Sequence, residues 1–240
     1  MSPDLRRRLV AHLDLTDLRP RLDDAALERL VERGATRFGP VAGLCVHASN
    51  AATVRHLLDA ARLSTRLVVI AGFPDGSQNP DAVLTELRVA CDDGADEIDL
   101  LYPAALQGDR SGLDLVERAA GATRVLKVIL ESSAWDDPVA LLATARSVFA
   151  AGAAMIKTGS GSTTVPPFRI TDAELLTEAA AETPSGGIKV SGGVTLELAT
   201  RSLALARRRL GEAVDASRFR IGASRLLDEL EEGAVADGSY

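Results

Sequence analysis

Aromatic residues make up only 3% of this 240-residue chain, and it has two cysteines, three histidines and, among 27 basic residues, three lysines. Each scarcity excludes something. With so few rings, a core must be filled by Ala, Val, Leu and Ile, which suit the layered interior of a barrel. Cys45 and Cys91 cannot build a disulfide framework and read as free thiols of a reducing, cytoplasmic compartment. His12, His47 and His56 lack the spacing of a metal-ligand set, so neither a metal nor another cofactor is expected. The formal net charge of −7 argues against nucleic acid or an anionic membrane surface as partner. No apolar run approaches the roughly 20 residues that span a bilayer. Arg6, Arg7 and Arg8 precede a stretch broken by His12 and Asp14, which makes a poor leader peptide. Nucleophile elbow, Cys–His pairing, P-loop and dinucleotide fingerprint are all missing.

What is present is an alternation of short apolar runs with helix-like segments, the pattern of βα units around a parallel sheet. Strands are expected at Val41–Val46, Arg66–Ala71, Glu97–Leu101, Val125–Leu130, Ala154–Lys157, Gly187–Val190 and Phe219–Ile221. Their near-continuous hydrophobicity suits a sheet covered on both faces. Between them, Val54, Leu57, Leu58 and Ala61 share a helical face after a cap at Ser49 or Asn50. Another helix opens at Asp137-Pro138 and closes before Gly152; others lie between Pro80 and Gly94 and through Leu175, Leu176 and Ala179. An eighth strand within Leu203–Val214 is weak, because that arginine-rich stretch reads better as helix. The pattern favours a single-domain (β/α)8 barrel over residues 1–240, with a flexible tail at 232–240, while an open doubly wound sheet stays possible. One internal repetition aligns Gly94-Ala95-Asp96-Glu97-Ile98-Asp99 with Gly152-Ala153-Ala154-Met155-Ile156-Lys157. If these are strands three and five, Asp99 and Lys157 face one cavity, because alternate barrel strands supply the same interior layer.

The three lysines, Lys127, Lys157 and Lys189, all fall inside strand-like runs of a chain that otherwise uses arginine. Arginine would serve if positive charge were the only need. It cannot shed its proton and attack a carbonyl, whereas lysine can once burial or a neighbouring cation favours the neutral amine. Lysines paired with buried carboxylates, or reaching solvent at strand ends, are the plainer alternative. Lys157 is followed by Thr158-Gly159-Ser160-Gly161-Ser162, Lys189 by Val190-Ser191-Gly192-Gly193, and the last strand by Gly222-Ala223-Ser224. Glycines at such turns let backbone N–H groups approach an anion. Three of them beside two lysines suggest a phosphorylated substrate that carries a carbonyl.

At these residues the chain resembles the deoxyribose-phosphate aldolase family over almost its full length. The likeness rests on His12-Leu13-Asp14-Leu15-Thr16, Gly43-Leu44-Cys45-Val46, Gly72-Phe73-Pro74-Asp75-Gly76, Asp96-Glu97-Ile98-Asp99, Leu126-Lys127-Val128-Ile129-Leu130-Glu131, Ile156-Lys157-Thr158, Lys189-Val190-Ser191-Gly192-Gly193 and Phe219-Arg220-Ile221-Gly222-Ala223-Ser224. The resemblance implies a TIM barrel and metal-free, reversible cleavage of 2-deoxy-D-ribose 5-phosphate to acetaldehyde and D-glyceraldehyde 3-phosphate. It implies that Lys157 is the Schiff-base nucleophile and Lys189 the cation that keeps it deprotonated, with Asp99 in the proton relay. Thr158, Gly161, Gly192, Gly193 and Ser224 would hold the phosphate. Lys127, Asp14, Thr16, Cys45 and a C-terminal Tyr240 folded over the site would support them. Dimers are frequent in the family, so a homodimer is among the expectations. Two departures stand out: Gly159-Ser160 follows Thr158 where the family reads Ser-Thr, and Arg225 follows Ser224 where a second serine is common. They keep open a Schiff-base aldolase or lyase for another phosphorylated or acidic aldol. A non-catalytic barrel that binds a sugar phosphate is the remaining alternative.

Overall fold

A computed structural model describes residues 1–74, 76, 79–103 and 110–235, with side chains through 232. Eight parallel strands close into a barrel: β1 Leu13–Asp17, β2 Gly43–His47, β3 Arg66–Ala71, β4 Glu97–Leu101, β5 Leu126–Ile129, β6 Met155–Lys157, β7 Gly187–Ser191 and β8 Phe219–Ala223. Each pairs with its neighbours in chain order, and β8 returns to β1 through the register Leu13↔Ile221. The helices are α1 Pro3–Ala11, α2 Asp24–Gly34, α3 Ala51–Ala61, α4 Pro80–Asp92, α5 Arg110–Ala120, α6 Pro138–Ala150, α7 Ile170–Glu182, α8 Leu196–Leu210 and α9 Leu226–Val235. A two-stranded hairpin, Ala35–Thr36 with Gly39–Pro40, precedes β2. Closure selects the barrel over the open sheet.

The caps follow the expected chemistry. Ser2 accepts the Leu5 N–H ahead of Pro3, and Asp137 accepts the Val139 N–H ahead of Pro138. Asn50 precedes α3 without a side-chain cap bond. Three corrections follow. The eighth strand is Leu13–Asp17, at the start of the barrel, and Leu203–Val214 belongs largely to α8. Asp99 and Lys157 therefore lie on strands four and six, and Lys189 on strand seven, with the alternation between the first two preserved. Residues 232–235, expected to open a tail, complete α9. Tyr240 and Asp75 lie outside the described residues.

Period-2 alternation divides each strand between two environments. Leu13, Leu15, Leu44, Val46, Leu67, Val69, Ile98, Leu100, Val128, Ile156, Ile188, Val190, Phe219 and Ile221 join the main apolar core with the surrounding helices. The intervening residues turn into the barrel, where Ile70, Leu101 and Ile129 form a small separate cluster with Leu18 and Phe73. Apart from Cys45, Val68 and Met155, which are also buried there, the rest of that inner face is largely charged. Two in-facing glycines make room for it. A Cβ on Gly43 would lie 2.6 Å from Asp14 Oδ1, and one on Gly222 would lie 2.9 Å from Lys189 Cε.

Candidate active site

Side chains from six strands meet in the barrel as one ion-pair network. Asp99 is its hub: Oδ1 accepts from Lys127 Nζ at 2.9 Å, and Oδ2 accepts from Lys157 Nζ and Lys189 Nζ at 2.8 Å each. Lys189 Nζ also donates to Asp14 Oδ2 at 2.6 Å. Lys127 Nζ lies 2.6 Å from Glu97 Oε2, an ion pair whose angles fall short of a hydrogen bond, and 3.9 Å from Asp14. Arg220 closes the far side, donating to Asp14 Oδ1 and, at 2.6 Å, to Glu97 Oε1. All seven groups are buried, and Lys127, Lys189, Asp14 and Asp99 are fully so.

These contacts separate the three amines. Lys189 has the Asp14 Oδ2 atom as well as Asp99, and Lys127 has Glu97 Oε2 as well as Asp99. Among the described residues Lys157 has only Asp99 Oδ2, which it shares with Lys189. It is also the last residue of β6, at the C-terminal end of the barrel strand, where barrel enzymes place their chemistry.

The electrostatics follow from burial and partners. Burial alone would raise the pKa of Asp99, but Lys127, Lys157 and Lys189 outweigh it and hold the carboxyl well below the usual range. Burial likewise opposes the Asp14 charge, and Arg220 and then Lys189 reverse the sign, so its pKa is lowered. For Lys189 burial favours the neutral amine, yet Asp14 and Asp99 prevail and its pKa is raised: it is a persistent cation. Burial pushes the Cys45 thiol up, with its Sγ 3.8 Å from Asp99 Oδ2.

Lys157, Lys189, Asp99, Lys127, Asp14 and Cys45 are thus brought together. Thr16 stands at the rim, its hydroxyl donating to the Asp14 carbonyl at 2.9 Å. Thr158 is used differently from its expected part in binding phosphate. Its hydroxyl donates to the Ser191 carbonyl at 2.7 Å and accepts the Ser191 N–H at 2.8 Å, so it clamps β6 to β7. Gly161, Gly192 and Gly193 line a cavity of about 320 Å³ with Gly159, Ser162 and Pro167. All three take positive φ (86°, 90° and 78°), which glycine adopts without strain. Ser224 is exposed between β8 and α9 and is not part of that lining.

Three residues escaped the sequence reading. Glu97 precedes Asp99 by two, the spacing that puts both on one face of a strand, and that signal was available. Arg220 sits between Phe219 and Ile221 inside a strand. Glu131 lines the glycine-rich cavity, and its carboxylate accepts the Ser160 N–H at 3.1 Å from a backbone at φ 48°, ψ 55°. That left-handed conformation costs a non-glycine residue about 1–2 kcal/mol and is seldom kept without a reason.

No family model matches the chain. It is 32% identical over 232 residues to the deoxyribose-phosphate aldolase of Agrobacterium fabrum, covering 91% of this chain and 87% of that protein. A tetrameric deoxyribose phosphate aldolase from Aeropyrum pernix superposes with a TM-score of 0.80 at 24% identity, over 98% of this chain and 93% of the other. A dihydrodipicolinate synthase from Bacillus anthracis superposes with a TM-score of 0.60 at 13% identity, over 95% and 75%. At such identities the two superpositions speak for the barrel alone; the aligned sequence carries the closer kinship.

Proposed function

The chain belongs to the deoxyribose-phosphate aldolase family, and on that premise we propose that it cleaves 2-deoxy-D-ribose 5-phosphate through a Schiff base on Lys157. The observation that carries the assignment is the position of Lys157. It ends its strand at the mouth-side face and, among the described residues, is the one amine of the three without a carboxylate oxygen of its own. The neutral amine adds to C1 of the open-chain aldehyde, and the carbinolamine loses water to give an iminium. The C3 hydroxyl then gives up its proton, the C2–C3 bond breaks, and its electron pair moves toward the iminium nitrogen. Glyceraldehyde 3-phosphate leaves with C3 as its aldehyde carbon. The enamine left on Lys157 takes a proton at C2, and hydrolysis releases acetaldehyde and the free lysine. Asp99, ionised and in contact with all three amines, relays protons between them and a bound water. Lys189 keeps positive charge beside the nucleophile. The glycine cavity between the β6–α7 and β7–α8 connections takes the phosphate through backbone N–H groups at Gly161, Gly192 and Gly193.

A second reading, a Schiff-base aldolase for another phosphorylated or acidic aldol, rests on Glu131. Its carboxylate already occupies the Ser160 N–H, so this turn offers an anion one donor fewer. Borohydride reduction with 2-deoxyribose 5-phosphate, followed by peptide mass mapping, tests the first reading. The expected adduct is on Lys157. An adduct on Lys127 or Lys189 overturns the site assignment, and none from folded protein overturns the substrate.

A further inference from the structure

Four side chains of the interior network carry positive charge when protonated (Lys127, Lys157, Lys189 and Arg220) and three carry negative charge (Asp14, Glu97 and Asp99). Every strand that faces the interior is accounted for. β1 gives Asp14; β2 gives the Cys45 thiol, whose pKa burial raises, and at its end His47, bonded to Ser49 outside the network; β3 gives only Arg66 at its start, exposed and paired with Asp96; and β4 gives both Glu97 and Asp99. β5, β6, β7 and β8 give Lys127, Lys157, Lys189 and Arg220. Glu131, on the loop after β5, is engaged with Ser160 and makes none of the network's ion pairs. Among the described residues the fully protonated network therefore holds one positive charge too many. In a buried site such an excess is costly, and losing one proton removes it.

We infer that Arg220 is the positioning residue that creates this excess and so compels one lysine, Lys157, to stand as a neutral amine. The guanidinium cannot serve as the group that loses the proton, because arginine stays charged in proteins. The burden falls on an amine. Arg220 occupies Asp14 Oδ1 and Glu97 Oε1, and these two acids turn their other oxygens to Lys189 and Lys127. Two lysines are thereby supplied with an anion each, and the third is left with a shared oxygen. Arg220 acts at a distance from the substrate. With Glu97 it borders a cavity of about 840 Å³ lined by Val41, Ala42, Arg66 and Val125, which begin or precede their strands, at the end of the barrel away from the glycine turns. The inference rests on Lys157 being the Schiff-base residue and adds what sets its protonation.

Charge counting gives opposite signs for two substitutions. Arg220→Gln leaves three cations and three anions, balanced with Lys157 still protonated. Glu97→Gln leaves four and two, which drives protons off more readily. The double variant, with three and two, restores an excess of one. The experiment is reductive trapping of acetaldehyde with cyanoborohydride as a function of pH, with the N-ethyl-lysine mapped by mass spectrometry. Acetaldehyde needs no phosphate site, so the test is independent of the sugar. In the unaltered protein the adduct is expected on Lys157, with a rate that rises with pH to a plateau. Arg220→Gln should move the midpoint of that rise up by about one pH unit or more, and Glu97→Gln down by a similar amount. The double variant should return it to within a few tenths of a unit, which a merely structural role for either side chain would not produce. If Arg220→Gln does not fold, Glu97→Gln and the double variant carry the test through a lowered and a restored midpoint. Midpoints that stay in place, or single variants that shift the same way, overturn the inference while leaving the Schiff base on Lys157 intact. An adduct elsewhere in the unaltered protein overturns the nucleophile assignment itself.

Discussion

Replacing Lys189 by methionine removes the ammonium that lies 2.6 Å from Asp14 and 2.8 Å from Asp99 while nearly conserving volume. Breaking a buried ion pair on one side usually costs about 3–5 kcal/mol, because it strands the partner's charge. Here neither carboxylate is stranded: Asp14 keeps Arg220, and Asp99 keeps Lys127 and Lys157. The expected cost is therefore smaller, about 1–3 kcal/mol, or roughly 2–12 °C in Tm for a domain of this size. The kinetic cost is expected to be much larger. With three cations facing three anions, the excess positive charge that favours a neutral amine is gone, and a fall in kcat of roughly 10- to 1,000-fold is expected. Thermal melts and steady-state retro-aldol kinetics across pH 6–10 separate the two effects, with partial recovery of kcat expected at the alkaline end. Lys189→Arg is the companion variant, keeping the charge but enlarging a fully buried side chain. It should fold and lose most activity, since the larger planar guanidinium cannot reproduce the contacts that the ammonium makes with Asp14 and Asp99. Near-normal turnover in either variant at pH 7 would refute the role given to Lys189.

Two further outcomes follow from the same geometry. Gly43→Ala places a methyl 2.6 Å from Asp14 Oδ1 and 2.9 Å from Val68 Cγ2, so the carboxylate must move. A stability loss of about 1–3 kcal/mol and at least a tenfold fall in kcat are expected by urea melts and assay, and unchanged kinetics would mean that Asp14 need not be held. Stability should also depend on pH at both extremes. Asp14 and Asp99 have pKa values lowered on folding, so their contribution is full above the unfolded value of about 4 and is lost as pH falls below it. The pKa of Lys189 is raised, so its contribution is full below about pH 10 and is lost as pH climbs beyond. Urea midpoints should be level between these limits and fall at either end; a flat profile from pH 7 down to pH 3 would contradict the acid half.

How much of this was legible depended on the background against which each residue was read. The lysines were conspicuous because the chain has 27 basic residues and only three are lysine. That same bias hid Arg220, which differs from the other arginines only in lying between two strand-core residues, Phe219 and Ile221. β1 was missed for a related reason. Leu-Asp-Leu-Thr alternates, with leucines toward the helices and Asp14 toward the interior, and so lacks the continuous apolar run that marks a strand covered on both faces. In this barrel an interior position is often a charged one, so the inner face interrupts the very signal by which buried strands are recognised. Cavity geometry was less accessible still. Glycine turns advertise an anion site, but neither the left-handed backbone of Glu131 nor the clamp made by Thr158 has a signature in composition or spacing. The roles of the three lysines lay furthest from view. Each sits in an apolar run, and nothing nearby in the chain distinguishes them. What separates them is which oxygen of Asp14, Glu97 or Asp99 each one reaches, and those acids come from strands remote in sequence. The chemistry of a residue can therefore be read from its type, while its protonation is a property of the closed barrel. For that reason the substitutions that best discriminate among the lysines are those of Arg220 and Glu97, which touch two of the three only through a carboxylate or an ion pair and never meet the third.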